Sequence, residues 1–218
     1  MNVNVRRRDS SFFFGAALAT AWLLGASLAS AQEGVKETEQ FIKAGGNLSQ
    51  SVGEAKLQLQ NTLTNYSELL GKSATDMKDS YKKLLKNIKQ SDERIDSARM
   101  RVTQMQDMGK AYFAGREASV KKIQDPSLQS QAQERLTASQ KEFEGVLASL
   151  RTARESLDPV RKELGDQVKY LESDLSPSGT ASLKPQAEKT KAGADAMFGK
   201  VDEAIKTANA YFNGLRAR

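Results

Sequence analysis

Large apolar side chains recur with a seven-residue spacing in the second half of the chain. Within residues 126–171 the repeat positions are all large and apolar: Leu136, Phe143, Leu150, Leu157, Leu164 and Leu171. The positions three residues further on are smaller and more mixed, and they include Ala153 and Gln167. A helix whose apolar residues recur every 3.5 residues can bury them only against other long helices that lie nearly parallel to it. This stretch therefore predicts a long helix with helical partners.

Three further stretches show the same alternating spacing of four and three residues between apolar positions. Their apolar stripes include Ala55 and Ala98, and the last stripe is rich in alanine. The four helices are expected at about residues 38–70, 75–124, 126–174 and 182–215. The connections between them are short, and short connections make sequential helices antiparallel neighbours.

Glycine and capping residues mark the ends of the first two helices. Gly45–Gly46 interrupts the first stripe and predicts a bend or a break there. Gly71 is suited to the C terminus of the first helix because glycine adopts positive φ readily. Ser73, with Asp76 three residues later, is typical of the capping pair that begins a helix.

Proline positions mark the third helix. Asp125 followed by Pro126 is typical of an N-cap and a first helical residue. Pro159 lies well inside the helix and predicts a kink, with a full break as the alternative. We favour the kink because the seven-residue repeat continues in phase through Leu164. The turn residues at 176–179 are expected to end this helix.

Composition and spacing together predict an all-α fold. The chain has 4 prolines and 15 glycines among 218 residues, and no stretch alternates apolar and polar positions with β-branched enrichment. The simplest arrangement is an elongated antiparallel four-helix bundle, with the second and third helices able to project as a long coiled-coil hairpin. The spacing leaves open whether the apolar stripes are buried within one chain or between chains.

The N terminus, residues 1–31, has the three parts of a secretory signal peptide. Arg6–Arg8 precedes an uncharged apolar run at Phe12–Leu28, and Ala29–Ala31 follows with the small residues that signal peptidase cleaves. We expect cleavage after Ala31, with a retained membrane anchor as the alternative. A lipoprotein anchor is excluded because the sequence has no cysteine. Residues 32–218 are then expected to form a single helical-bundle domain in the periplasm or another extracytoplasmic compartment.

The absence of two residue types restricts the chemistry. The sequence has neither histidine nor cysteine, which excludes imidazole bases, thiol nucleophiles and the usual zinc sites. A Ser-x-x-Lys spacing, as at Ser80 and Lys83, is common by chance on a charged helix. No glycine-rich phosphate loop and no paired carboxylates with di-iron spacing are present. We therefore expect no enzyme activity, no cofactor and no metal.

Two groups of basic residues are candidate contacts for anionic partners. Loss of residues 1–31 lowers the net charge from +6 to +4, which permits contact with anionic polymers or lipid head groups without requiring it. The first group is on the second helix: Lys78, Lys82, Lys83, Lys86 and Lys89. The second flanks the predicted kink: Arg151, Arg154, Arg161 and Lys162. The alternative interpretations are a solvated helix face and a kink that only eases helix crossing.

The segment around Pro159 resembles a known family. The resemblance is carried by four short stretches: Leu150–Val160 (LRTARESLDPV), Asp166–Leu171 (DQVKYL), Asp174–Leu175 and Ala181–Leu183. The pattern is similar to that of exported all-helical bacterial proteins known only as a domain of unknown function. The resemblance implies an exported helical protein and implies no activity. Glu172 and the Ser-Pro-Ser-Gly sequence at 176–179 depart from the family pattern.

These observations favour a non-enzymatic exported helical scaffold or binding protein of the bacterial cell envelope. One alternative is a salt-sensitive binder of an anionic cell-wall polymer or membrane surface, which would use the basic groups. Another is a module for oligomerisation or for docking a protein partner through the apolar stripes. Nucleic acid is not an expected partner because the chain carries an export signal.

Overall fold

The computed structural model describes residues 18–217, with side chains described at residue 32 and from residue 34 onward. The chain divides into two units, Met1–Glu37 and Thr38–Arg218. The described part of the first unit is helical, and the second unit is a bundle of helices. The helices are α1 (Leu18–Leu69), α2 (Met77–Val120), α3 (Pro126–Ser173) and α4 (Pro177–Ala217). Residues 18–217 contain no strand, and the all-α prediction is confirmed.

The predicted signal peptide lies largely outside the described residues. Arg6–Arg8 and the first part of the apolar run precede residue 18, and residues 18–31 are described only as the helical start of α1. The helix therefore begins well before residue 38, where the sequence predicted it. Over residues 18–217, no helix combines the length and the apolar character that crossing a membrane requires.

Side-chain contacts connect the four helices in an antiparallel ring. They join α1 to α2, α2 to α3, α3 to α4 and α4 to α1 through the pairs Thr62–Ser91, Asp92–Arg161, Ser139–Tyr211 and Asp202–Lys56. Sequential helices are antiparallel neighbours, as the short connections predicted. In this chain the apolar stripes of residues 38–217 are buried between its own helices.

Gly45 does not interrupt α1, and its role is to make room for a side chain of another helix. The helix runs without a break from Leu18 to Leu69. A Cβ atom added at Gly45 would overlap the ring of Phe212 on α4, whereas one at Gly46 would meet nothing within 4 Å. The missing side chain therefore lets an aromatic ring lie directly against the backbone of α1.

The structure differs from the prediction at the C terminus of α1 and at the N terminus of α2. No residue in 18–217 has positive φ, so Gly71 does not adopt the conformation that was expected of it. The N-cap of α2 is Asp76, and its side chain makes no capping hydrogen bond. The Ser73 hydroxyl instead donates to the Asp76 carboxylate across 3.1 Å, so both polar groups satisfy each other within the turn.

The predicted start of α3 is confirmed, and Pro159 does not break the helix. Asp125 is the N-cap, Pro126 is the first helical residue, and the Asp125 carboxylate accepts a hydrogen bond from the Leu128 amide at 2.9 Å. α3 continues through Pro159 to Ser173, so the helix does not break there. Pro159 is exposed, and solvent can satisfy the carbonyl that its missing N–H leaves without a partner.

α4 begins at Pro177, about five residues earlier than expected. The Ser176 hydroxyl accepts a hydrogen bond from the Gly179 amide at 3.0 Å, as an N-cap side chain does. Pro177 then occupies the first position of the helix, where proline is favoured. The Ser-Pro-Ser-Gly sequence that was expected to form a turn is thus mostly the first turn of α4.

The core of the bundle changes character along its length. At one end, here called the aromatic end, six rings pack together: Phe41, Tyr112, Phe113, Phe143, Tyr211 and Phe212. At the other, here called the leucine end, the buried residues include Leu69, Leu84, Leu164, Leu171 and Leu183. Between them, in the central section, buried alanines occupy stripe positions of three helices: Ala55, Ala98 and Ala153.

Candidate functional site

The five lysines of the first basic group form an exposed strip near the start of α2, here called the lysine strip. All five are exposed: Lys78, Lys82, Lys83, Lys86 and Lys89. Met77 and Leu84 on the opposite side of the helix are 2% and 0% exposed. These buried residues fix this part of α2 on the bundle, so the lysines project from a rigid element.

The ion pairs within the lysine strip are weak. Three of its members lie 3.3–4.0 Å from an acidic side chain, in the pairs Lys82–Asp79, Lys83–Glu68 and Lys89–Glu93. Every side chain in these pairs is more than half exposed, and such pairs contribute only about 0–1 kcal/mol. Lys78 and Lys86 have no acidic partner among the described residues. The positive charge of the strip is therefore available to a partner.

An exposed leucine lies within the lysine strip. Leu85 is 42% exposed, and it shares a helix face with Lys82 and Lys89, which are three and four positions away. Residues 77–91 carry five lysines and one aspartate. The strip thus combines positive charge with one apolar side chain.

The structure separates the members of the second basic group. Arg161 forms an ion pair with Asp92 and ties α3 to α2. Lys162 is exposed. Arg151 and Arg154 lie elsewhere, at the border of a cavity. Their closeness in the sequence suggested one docking point. In the structure, Arg161 contacts α2, whereas Arg151 and Arg154 line the cavity, so the group does not form one site.

The cavity has a volume of about 330 Å³ and lies in the central section, between all four helices. Ala55, Ala98 and Ala153 contribute to its wall and are 6–9% exposed. Toward the two ends of the bundle, leucine and aromatic side chains occupy the stripe positions. The alanines at stripe positions of the central section are smaller and leave the space between the helices unfilled.

Two basic residues of the cavity already have acidic partners. Arg99 Nη1 lies 3.4 Å from Asp96 and its Nη2 lies 3.7 Å from Asp158, while Lys56 forms an ion pair with Asp202. The Arg99 Nε is buried and has no hydrogen-bond partner among the described residues. Arg99 is therefore held at the cavity with one N–H group unsatisfied.

Arg151 and Arg154 differ from Arg99 in having no acidic partner. Both line the cavity, both are exposed, and neither makes a hydrogen bond or an ion pair within residues 18–217. None of the described lining residues is acidic. The cavity therefore has an apolar interior and, at its border, two arginines without an acidic partner among the described residues. Sequence reasoning missed this combination because a cavity has no signature in the apolar stripe of a single helix.

Two further depressions are larger in volume but belong to the surface. One, of about 720 Å³, lies between the end of α2 and the start of α3, and the other, of about 630 Å³, lies between α3 and α4. Each is bounded by two helices. The first is lined largely by exposed polar side chains, and the second is lined by polar and apolar residues in about equal number. The central cavity differs from both because all four helices contribute to it.

Two pairs of buried polar side chains elsewhere in the bundle join neighbouring helices. The Thr62 and Ser91 hydroxyls are 2.7 Å apart between α1 and α2, and the Gln167 amide donates to the Thr190 hydroxyl at 2.7 Å between α3 and α4. Such pairs fix the register of neighbouring helices. Over residues 18–217, no group of three acidic side chains is arranged to hold a metal ion.

The chain matches no curated protein and no solved structure. The model of one family, described as "Protein of unknown function (DUF2959)", matches residues 29–215. The resemblance to a family known only as a domain of unknown function is thereby confirmed, and the chain belongs to this family.

Proposed function

We propose that the protein is a non-enzymatic, exported binding protein of the bacterial cell envelope and that the lysine strip is its contact with an anionic surface. Export is supported by the signal-peptide pattern of residues 1–31. The single observation that supports the surface contact is that residues 77–91 have five exposed lysines and only one aspartate. The opposite face of the same helix is buried in the bundle.

The electrostatics support a contact that depends on salt. Each lysine close to an anionic membrane surface contributes about 1 kcal/mol, and this attraction falls off within a Debye length, about 8 Å at physiological ionic strength. A strip of five lysines can thus supply several kcal/mol at low salt. Leu85 favours a membrane over a cell-wall polymer, because an apolar side chain gains from entering the head-group region.

Co-sedimentation across a salt series tests this proposal. The full chain is expressed in a bacterial host and purified in the form that host processing leaves, and its mass then shows whether cleavage follows Ala31. We expect it to pellet with vesicles rich in anionic lipid at low salt and to be released at high salt. If it stays in solution with both anionic vesicles and purified cell-wall material at low salt, the proposal is wrong.

Two charge-reversal variants distinguish an effect of the lysine strip from an effect of the overall net charge. Replacing Lys82, Lys83 and Lys86 by Glu should abolish sedimentation. The matched control replaces three exposed lysines of α4, Lys184, Lys191 and Lys200, by Glu. Equal loss in both variants would mean that overall charge, and not the strip, is responsible.

A change at Leu85 distinguishes the two surfaces. Leu85→Ser should weaken binding to vesicles and leave binding to cell-wall material unchanged. If the substitution affects neither, the contact is purely electrostatic, and the membrane has no advantage over the polymer.

A further inference from the structure

We infer that the central cavity binds a single-chain amphiphile with an anionic head group, of which a fatty acid is the simplest. The apolar chain would occupy the space beside Ala55, Ala98 and Ala153, and the head group would lie at Arg151 and Arg154. This inference does not depend on the lysine strip. Arg99 is thirteen residues beyond Lys86 along α2, which corresponds to about 20 Å.

The interior of the cavity has the chemistry of an acyl-chain site. Twelve of its eighteen lining residues are apolar, and the deepest of them, such as Leu59, Ile95 and Leu150, are at most 6% exposed. A space lined by such residues offers few partners to water and favours an apolar guest. Small-molecule sites usually have this form, an apolar wall with a few placed polar groups.

The volume limits the length of the guest. At about 30 Å³ for a water-sized group, 330 Å³ accommodates roughly ten methylene groups. One medium-length chain fits this space, and a lipid with two long chains does not. The volume therefore favours a single-chain molecule over a membrane phospholipid.

The border of the cavity selects the charge of the head group. Apart from Lys56, its polar lining residues come from α2 and α3, and on each helix they follow the spacing of one face, with Arg99 and Thr103 opposite Arg151 and Arg154. Arginine binds carboxylates through paired N–H groups. Since Arg151 and Arg154 have no acidic partner among the described residues, a carboxylate would find both available.

Decanoate is the probe for the test, with decanol and decyltrimethylammonium as head-group controls. Calorimetric titration of the purified full chain should show binding of decanoate below its micelle concentration. Decanol should bind more weakly, and the cationic amphiphile should not bind. If decanoate does not bind, or binds no better than the cation, the inference is overturned.

A cavity-filling variant tests the location. Ala98→Leu places a larger side chain in the space and should weaken decanoate binding by at least about tenfold, the loss expected when a few buried methylene contacts disappear. The matched control is Ala148→Leu on an exposed face of α3, which should bind as the wild type does. Unchanged affinity in a folded Ala98→Leu variant would contradict the inference.

A charge-removing variant tests the head-group site without filling the core. Arg151→Gln combined with Arg154→Gln should weaken decanoate by roughly ten- to a hundredfold and leave decanol unaffected, because only the carboxylate uses the arginines. Arg135→Gln with Lys162→Gln removes the same charge from exposed positions of α3 and serves as the control. An equal effect in both double variants would overturn the assignment of the head group.

Sedimentation with vesicles should persist in all these variants, because none of them changes the lysine strip. A negative result for decanoate binding is therefore distinguishable from a negative result for surface binding by the lysine strip.

Discussion

The aromatic end and the central section of the bundle are built on the same apolar stripes but are filled in opposite ways. At the aromatic end, ring centroids lie 4.5–6.4 Å apart, and two glycines make room for rings. In the central section, alanines at stripe positions leave a cavity of about 330 Å³. The stripe decides which face of a helix is buried, and the size of the side chains decides whether the layer is solid or hollow.

The glycines show how tightly the aromatic end is packed. A Cβ atom at Gly45 would overlap the ring of Phe212, and one at Gly109 would overlap the ring of Phe143. Close packing of this kind leaves no room for an additional group. The central section has no such restriction, and a ligand site is therefore more compatible with it than with the aromatic end.

The largest expected difference between the two regions comes from truncation. Phe143→Ala removes a ring that is 4% exposed and should lower the free energy of unfolding by about 3–5 kcal/mol. Leu157→Ala, at the border of the existing cavity and only partly buried, should cost less than about 2 kcal/mol. Urea denaturation followed by circular dichroism measures both. Equal losses would show that the central section is packed as firmly as the aromatic end.

Adjacent glycines of α1 provide the next comparison. Gly45→Ala should lower the free energy of unfolding by about 1–3 kcal/mol, because its methyl group would displace the Phe212 ring. Gly46→Ala meets nothing within 4 Å and should raise stability by up to about 1 kcal/mol, since alanine favours the helix. The same denaturation experiment distinguishes the two, and destabilisation by both would mean that the helix itself, and not the ring, resists substitution.

Much of the fold follows from the spacing of apolar residues. Leu136, Phe143, Leu150, Leu164 and Leu171 are all buried, because a seven-residue repeat fixes the inward face of a helix whatever its partners are. The start of α3 was also predictable, since an N-cap and a first-position proline are local features. These predictions needed no knowledge of the other helices.

The features that were missed depend on contacts between helices. Phe198 and Phe212 are buried one position after a stripe residue, where the pattern placed the edge of the stripe. Gly45 was interpreted as a bend or break, because the ring that requires a glycine there belongs to Phe212 on another helix. The cavity forms because alanines of three helices lie side by side at the same height of the bundle. Their alignment depends on the register between the helices, which the apolar stripe of a single helix does not specify.

Filling the core should have opposite effects in the two regions. Ala208→Leu at the aromatic end adds volume where none is available and should lower the free energy of unfolding by about 1–3 kcal/mol. Ala98→Leu in the central section should raise it by about 0.5–2 kcal/mol, as cavity-filling substitutions commonly do. Thermal melts of the two variants without ligand give the sign of each effect. A destabilised Ala98→Leu variant would argue that the hollow collapses in the absence of a guest.

The smallest expected effects concern two buried tyrosines with different surroundings. The Tyr211 hydroxyl lies 3.1 Å from the Ser139 hydroxyl, whereas the Tyr66 hydroxyl at the leucine end is buried without a hydrogen-bond partner among the described residues. Tyr211→Phe should therefore cost about 0.5–1.5 kcal/mol. Tyr66→Phe should be neutral or stabilising by up to about 1 kcal/mol, because it removes an unsatisfied polar group.

The burial of Tyr66 predicts that the stability of the protein depends on pH in the alkaline range. Burial raises the pKa of its phenol above the ordinary value, so the fold favours the neutral form. Its contribution to stability is complete below about pH 10, the pKa of an unfolded tyrosine, and is lost as the pH rises above that value, because the unfolded chain releases the proton first. The stability difference between wild type and Tyr66→Phe should therefore shift in favour of the variant above pH 10, when urea denaturation is repeated across that range. A constant difference would mean that Tyr66 ionises as readily in the fold as in the unfolded chain, and that water reaches its hydroxyl at the leucine end.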